Sequence, residues 1–313
     1  LLSEDMMNGA VLMILVSCIV SSVVTQRATK RLRIERTEAE LKSEGDRVPG
    51  EYARQLVAVA NPVTAEGLMR MALLMRNRRN QNEVTVLFVR NSDDARVVEM
   101  GRNALRSAVA AAQAVDIEVK DIERYDVNVV AGVTNEIKQN RASDIMIGLH
   151  RKSNVVDTFY GSMIEQLLQS TNKMIFMSRC FIPVDTLARL MVLVPDKAEY
   201  ETGFQTWVER VGNLASQLAC KVIFMAYPAT SNFIRNVLED EHFAIRHEYR
   251  ELHNWDDFIL HSAEIEDEDL LMVVGARKGS ISHSGDLESL PAYLSRNFAR
   301  NNLVVIYPEQ FGG

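Results

Sequence analysis

The amino-acid sequence predicts an α/β protein in which an N-terminal helix precedes two tandem domains, each built on a parallel sheet. Three observations predict this class. Short apolar runs alternate with stretches of helical periodicity, the alternation starts again near the middle of the chain, and one longer uncharged run precedes both parts. Apolar strands that alternate with helices are typical of a parallel sheet covered on both faces.

Length and composition agree with a packed chain of about two domains. The 313 residues are 47% hydrophobic and 25% charged, which excludes a disordered chain. The three cysteines, Cys18, Cys180 and Cys220, lie far apart, so a disulfide scaffold is excluded and a reducing compartment is indicated. A net charge of -7 lacks the basic footprint of a nucleic-acid-binding protein, and we expect no nucleic-acid partner.

The first element is the uncharged run of residues 6–24, MMNGAVLMILVSCIVSSVV. At about 1.5 Å of rise per residue this length matches the hydrocarbon core of a bilayer, so the run predicts a transmembrane helix. Acidic residues precede it and basic residues follow it: Glu4, Asp5, Arg27, Lys30, Arg31, Arg33 and Arg36. By the positive-inside rule, residues after about 26 lie in the cytoplasm. The polar residues of the run leave a buried core helix as the alternative.

The next segments lead into the regular part of the chain. Residues 1–36 are interpreted as the last transmembrane helix with its basic juxtamembrane segment, and residues 37–50, TEAELKSEGDRVPG, as a linker because they are polar and end in Pro-Gly. The sequence starts with Leu. We therefore expect it to be part of a longer polypeptide, cut just before a final membrane span.

The first domain is predicted over residues 51–184. Its strands are predicted at 55–60, 83–89, 117–122, 145–148 and 174–177, and its helices at 64–76, 95–115, 129–139 and 162–169. The strands are short, apolar and rich in β-branched residues, whereas the helices repeat their apolar residues every three or four positions.

The second domain is predicted over residues 185–313, where the same order of elements starts again. Its strands are predicted at 190–194, 221–225, 244–250, 271–274 and 303–306, and its helices at 201–218, 231–239, 256–263 and 291–300. Corresponding landmarks lie 135 residues apart for Arg54 and Arg189, and 130 apart for Asn172 and Asn302. A near-constant offset of this kind indicates a tandem repeat.

One motif in the first domain carries chemistry. Gly148 ends the fourth predicted strand, and Gly161-Ser162 opens the next helix after a loop that contains Arg151. Ligands of open α/β sheets bind at the carboxyl ends of strands, and phosphates bind at helix N-termini. The glycines allow the backbone to approach a ligand closely, or alternatively make tight turns only.

This spacing resembles the universal stress protein family, whose nucleotide-binding members carry Gly, two residues, Gly, nine residues and then Gly-Ser or Gly-Thr. The resemblance implies Rossmann-like domains of the adenine nucleotide alpha hydrolase type, with ATP or AMP as ligand. The candidate nucleotide-binding residues that it implies are Asn61, Val89, Gly148, Arg151, Gly161 and Ser162. The chain departs from the family at Arg151, which replaces the second glycine, and at Asn61, which replaces an adenine-contacting aspartate.

The second domain matches the motif only at its start. Gly275 and Lys278, in the run Gly-Ala-Arg-Lys, are the candidate residues there. The family's Gly-Ser would fall near Ser289, and Ser284-Gly285 lies too early in the sequence to match it. The second domain is therefore the weaker candidate for a nucleotide site.

A final membrane span followed by a basic segment, a linker and two such domains also resembles the C-terminal region of bacterial monovalent cation/proton antiporters, which exchange sodium for protons. The resemblance implies a non-catalytic, regulatory region at the bacterial inner membrane. Its implied partners are the remainder of the transporter polypeptide, the membrane through residues 6–24, a second copy in a homodimer and an adenine nucleotide. No catalytic residue is implied in this chain.

Two other functions remain open from the residues alone. One is a membrane-anchored universal stress-type protein that binds or hydrolyses nucleotide, and the other is a dimerisation module whose pockets are closed. A histidine-rich stretch, with His242, His247, His253 and His261 among many acids, allows a metal or pH-sensing site. None of its histidine pairs has a metal-binding spacing, so we expect a solvated acidic surface and no metal.

Overall fold

The computed structural model of the chain describes residues 54–76, 83–148 and 162–310, together with the helical positions Met13 and Ser17. Contacts divide the chain into two units, residues 1–49 and 50–313. Apart from Met13 and Ser17, the predicted membrane span and linker lie outside the described residues. Within the described residues, no helix combines the length and apolar character that crossing a membrane requires.

The described part of residues 50–313 alternates strands and helices. The strands are β1 Gln55–Ala58, β2 Val84–Arg90, β3 Lys120–Tyr125, β4 Asp144–Gly148, β5 Met174–Arg179, β6 Arg189–Leu193, β7 Lys221–Ala226, β8 His247–Glu251, β9 Leu270–Val274 and β10 Asn302–Tyr307. The helices are α1 Pro62–Met75, α2 Ala95–Gln113, α3 Val129–Asn140, α4 Ser162–Ser170, α5 Phe204–Leu218, α6 Pro228–Asp240, α7 Trp255–Ser262 and α8 Gly285–Asn297. Short 3-10 helices occur at Val184–Thr186 and Ala198–Tyr200.

These strands form one continuous sheet in the order β3-β2-β1-β4-β5-β10-β9-β6-β7-β8. We call β1 to β5 with their helices the first half, and β6 to β10 with theirs the second half. Both halves repeat one strand order, and every pairing is parallel except the antiparallel pairing of β5 with β10. The predicted α/β class is confirmed. The domain boundary at residues 184/185 stays a prediction, because the sheet runs on from one half into the other.

Each face of the sheet carries its own apolar core. Neighbouring residues of a strand point to opposite faces, so Val57 belongs to one core and Leu56 to the other. The first core packs against α1, α2, α5 and α6, as Met69 and Trp207 show, and the second packs against α3, α4, α7 and α8, as Ile137 and Phe258 show. Successive helices of each half therefore cover both faces, as the apolar strands predict.

Paired asparagine contacts join the halves at the antiparallel strands. The Asn302 amide accepts from the backbone N–H groups of Phe181 and Ile182, at 2.6 and 3.1 Å, just beyond the end of β5. Reciprocally, the Asn172 amide donates to the carbonyl of Gln310, beyond the end of β10, at 3.1 Å. The two asparagines that mark the sequence repeat thus occupy corresponding places in the junction.

A buried ion pair also crosses the junction. Arg210 of α5 contacts Asp144 at the start of β4, with 2.8 Å between Nη2 and Oδ2, and their side chains are only 4% and 2% exposed. Such a pair is costly to break, because removal of one partner leaves an uncompensated charge in the interior. The halves are therefore held together by charge as well as by strand pairing.

Helix α8 begins earlier than the sequence predicts. It begins at Gly285 and contains Pro291, whereas the prediction placed the helix start at Pro291. Proline lacks an N–H group and is best tolerated in a first helical turn, which is why it was interpreted as a start. Burial of Leu287, Leu290 and Leu294 against the sheet outweighs the lost hydrogen bond. Ser284-Gly285, set aside as too early, therefore opens this helix.

Candidate functional site

Two candidate positions lie at the carboxyl ends of strands, one in each half. In the first half β1 and β4 are neighbours, and the chain leaves them towards opposite faces of the sheet, through α1 and α4. Strands β6 and β9 do the same in the second half. Such switch points are where open α/β sheets bind ligands.

Asn61 lies at the first of these switch points and caps α1. Its side-chain oxygen accepts from the Val63 backbone N–H at 3.0 Å, and Pro62 occupies the first helical position. Asparagine is favoured at this cap because its short amide reaches the free N–H groups of the first turn. The residue is partly exposed, so its amide nitrogen remains near solvent as a hydrogen-bond donor.

The other first-half candidates are only partly described. Gly148 ends β4, where it is paired with Ser178 of β5, and Ser162 is the first residue of α4. Arg151 and Gly161 lie outside the described residues. The implied phosphate-binding turn therefore joins two positions that the structure does describe, the end of β4 and the start of α4.

Val89 lies near the end of β2, and its side chain is packed in the protein core. The side chain is 7% exposed and belongs to the core beneath α3. A Cβ atom on Gly132 of α3 would lie 2.5 Å from Val89 Cγ1, so the two surfaces are in close contact. Any contact of Val89 with a nucleotide would have to come from its backbone.

In the second half, Gly275 makes room for a protein side chain. Its N–H donates to the Ile306 carbonyl at 2.7 Å. A Cβ atom at this position would lie 2.9 Å from the ring of Tyr307, which is only 1% exposed. The close approach that glycine allows is thus used by an aromatic ring of β10.

Arg277 connects the loop after β9 to the first half through hydrogen bonds. Its Nη1 donates to the carbonyl of Leu168 at 2.6 Å and to that of Thr171, and its Nη2 donates to the carbonyl of Lys173 at 2.6 Å. These carbonyls belong to the end of α4 and the turn before β5, in the first half. Burial lowers the pKa of Arg277 to about 10, so the guanidinium stays charged at neutral pH.

The same loop is tied to its own half by Glu201. Its Oε1 accepts from both the N–H group and the hydroxyl of Ser282, at 3.0 and 2.7 Å. Lys278, the other second-half candidate, is 73% exposed and lies 3.7 Å from Glu165 of α4. The motif-like loop of the second half therefore makes structural contacts, most of them to the first half.

The sequence interpretation missed three residues at these strand ends. Arg277 stands inside the quoted motif, but nothing local identifies carbonyl partners more than 100 residues away. Glu201 carries no sequence signal. Asp196 is the counterpart of Asn61. Asn61 lies two residues after Val59 and Asp196 lies two residues after Val194, and each valine donates its backbone N–H to the neighbouring strand. Alignment of the halves through Pro195-Asp196 could have found it.

The histidine-rich stretch and the cysteines are the remaining candidates. Across residues 54–76, 83–148 and 162–310, no three His, Cys, Asp or Glu side chains form a group able to hold a metal ion. Burial raises the pKa of both Cys180 and Cys220, so these free thiols stay protonated. Neither has the lowered pKa of a reactive cysteine.

The fold is similar to that of several solved proteins. No family model matches the sequence, and no curated protein is similar to it at a significant level. The cytoplasmic domain of a prokaryotic cation chloride cotransporter matches with a TM-score of 0.55 at 12% identity, over 82% of this chain and 96% of that one. A putative universal stress protein from Pseudomonas aeruginosa UCBPP-PA14 matches with a TM-score of 0.55 at 13% identity, over 83% and 94%.

A universal stress protein from Archaeoglobus fulgidus DSM 4304 is also similar, with a TM-score of 0.51 at 13% identity, over 84% of this chain and 100% of that one. At such identities the similarity concerns the fold alone. The described part of the chain is thus an α/β protein with a mostly parallel sheet, whose structural neighbours include universal stress proteins and a transporter's cytoplasmic domain.

Proposed function

We propose that residues 54–310 form a non-catalytic regulatory module that binds an adenine nucleotide, ATP or AMP, at the carboxyl ends of β1 and β4. The observation that carries this proposal is the difference between the two switch points. The loop after β9 is closed by Arg277 and Glu201, whereas Asn61 remains partly exposed beside β4. Because structural contacts engage the loop after β9, we infer that the ligand binds at the first switch point.

Helix α4 gives binding a route to the second half. It begins at Ser162, in the turn that would hold phosphate, and its last carbonyls are bound by Arg277. A nucleotide bound at the first turn of α4 would contact a helix whose other end is hydrogen-bonded to the loop after β9. Contact of this kind is what coupling between a site and a partner surface requires.

We further propose that the module belongs to a bacterial sodium/proton antiporter and lies on the cytoplasmic side of the inner membrane. The predicted span at residues 6–24 and the basic residues after it support this placement. The fold of a transporter's cytoplasmic domain, matched over 96% of its length, supports an attachment of this kind. The proposed partners are the remaining transporter polypeptide and a second copy of the chain.

A non-catalytic role is supported by the engagement of polar groups at the strand ends. Asn61 caps α1, Glu201 binds Ser282, and Glu199 accepts from the Thr230 hydroxyl at 2.7 Å. A nucleotide-hydrolysing enzyme needs a base free to position water. Two acids of the second half, Glu199 and Glu201, are thus already bound to protein partners.

Calorimetric titration of the full chain with ATP and AMP tests the nucleotide proposal. We expect Asn61→Ala to weaken binding about tenfold, the size of one lost charge-assisted or buried hydrogen bond. Asn61→Asp should retain or strengthen it, because it restores the charged acceptor. Asn254→Ala removes an asparagine cap from a different helix, α7 of the second half, and should leave the affinity unchanged.

The outcomes separate the candidate functions. Absence of binding at millimolar nucleotide would contradict the sensor and favour an interaction module with closed pockets, which the closed loop after β9 specifically suggests. Release of phosphate from bound ATP, lost on Ser162→Ala, would instead favour the membrane-anchored hydrolysing protein.

A further inference from the structure

A cavity lies beside the loop after β9, away from the first switch point. It has a volume of about 700 Å³ and is lined by residues from the ends of α3 and α4, the turn before β5, the loop after β9 and the C-terminal segment. Because the turn at Thr171 to Lys173 precedes β5 while Asn61 follows β1, the two places lie at opposite ends of the parallel strands of the first half. This cavity is not the proposed nucleotide site.

The cavity is strongly basic in an acidic protein. Among the described residues that line it, four are cations and none is acidic: Lys138, Arg141, Lys173 and Arg277. Lys173 is neutralised by Glu309, at 2.7 Å between Nζ and Oε1. The C-terminal ends of α3 and α4 together contribute about one negative charge through their dipoles. Once this charge and that of Glu309 are subtracted from the four cations, about two positive charges remain.

The uncompensated charge resides on three residues. Lys138 lies in the last turn of α3 and Arg141 directly after it, and neither makes an ion pair within the described part of the chain. Arg277 is 7% exposed, and its bonds go to neutral carbonyls. Its Nε–H is buried and has no hydrogen-bond partner among the described residues. Glu201 and Glu309 act on Arg277 only at longer range and are bound to Ser282 and Lys173, so an anion in the cavity would add a direct counter-ion to a buried guanidinium.

We propose that this cavity binds a phosphorylated small molecule that carries at least two negative charges. Its volume lies within the range of about 300–1,000 Å³ that small-molecule sites occupy. Arginine side chains bind phosphate through paired N–H groups, and the exposed Arg141 in the cavity lining carries such groups. Since first-half and second-half residues line the cavity, such a ligand would clamp the halves together. This inference does not depend on nucleotide binding beside Asn61.

Titration of the full chain with inorganic pyrophosphate at low salt tests the proposal. Pyrophosphate is expected to bind, and the double variant Lys138→Gln/Arg141→Gln to bind at least about tenfold more weakly, the effect of about one lost charge-assisted contact. Both residues are exposed, so the double variant should fold. Arg106→Gln, which removes an exposed cation from α2 on the other face of the sheet, is the matched control and should bind normally.

Three results would overturn the proposal: no pyrophosphate binding at millimolar concentration, full affinity in the double variant, or loss of binding on Arg151→Gln instead. In the first case, a lowered stability of the double variant would show that the cations only neutralise helix ends. Asn61→Ala separates the two proposals, because it should weaken AMP binding and leave pyrophosphate binding intact. If AMP fails to bind while pyrophosphate does, only the proposed function fails.

Discussion

The two switch points share one strand order, and their described residues make different contacts. In the first half Gly148 ends β4 and Ser162 begins α4, while Asn61, after the neighbouring β1, is partly exposed. After β9 the ring of Tyr307 covers Gly275, and the loop is buried through Arg277 and its neighbours. The glycine directly after β9 therefore admits a ring of the protein itself.

The contrast extends to the residues after the first strand of each half. Thr64 in α1 bonds its hydroxyl to the Asn61 carbonyl at 3.3 Å, close to solvent. Its counterpart Glu199, 3% exposed, is turned into the protein beneath α6, where Thr230 donates to it. The second half thus buries an acid at the position where the first half has a hydroxyl.

Arg277→Met should break this contrast with the largest effect. It removes the guanidinium that closes the loop after β9 and leaves the carbonyls of Leu168, Thr171 and Lys173 without their donor. We expect a loss of about 3–5 kcal/mol in the free energy of unfolding, measured by urea denaturation. Lys278→Met, at a neighbouring exposed cation, should cost less than about 1 kcal/mol. Equal stability of the two variants would show that Arg277 does not hold the loop.

Gly275→Ala should sharpen the contrast with an intermediate effect. The added Cβ would lie 2.9 Å from the Tyr307 ring, and overpacking of this kind costs about 1–3 kcal/mol. Gly285→Ala is the control, because nothing lies within 4 Å of a Cβ there and alanine favours a helix start over glycine. Thermal unfolding of both variants measures the difference. A neutral Gly275→Ala would mean that the ring can move and that the crevice can open.

Glu199→Gln should have the smallest effect, visible mainly as a change with pH. Burial raises the pKa of Glu199 above its ordinary 4.5. The folded state then holds the proton more tightly, so the stabilising contribution is complete below pH 4.5 and is lost as pH rises through the folded-state pKa. The variant should gain stability relative to the parent from pH 4.5 to 7, in urea unfolding at each pH. Exposed Glu268→Gln is the surface control, and a flat difference for Glu199→Gln would mean that the acid is solvated.

Local patterns located most elements to within a few residues. The runs at 83–89 and 221–225 predicted β2 and β7 almost residue for residue, because a short apolar run of β-branched residues is typical of a buried strand. Strand β3 was placed three residues early, since its burial alternates and its residues KDIERY are mostly charged. A predicted start at Pro291 was wrong for α8 because packing overrode the proline rule.

The candidate site was predictable only in part. The repeat and the glycine spacing located Asn61 and Gly148 near neighbouring strand ends, and the structure confirms that β1 and β4 are paired. The same reasoning attributed Gly275 to ligand access, whereas the glycine admits Tyr307. A glycine in a sequence indicates that space is needed at that position, but it does not identify the group that occupies the space.

By itself the sequence determined the α/β class and the repeat, because periodicity and strand character are local properties of short segments. Only the tertiary structure decided that β5 and β10 pair antiparallel, that Arg277 closes one crevice, and that Lys138 and Arg141 meet it around a basic cavity. These contacts join residues more than 100 positions apart, and their energies depend on burial and on the groups left without partners, which no local pattern encodes.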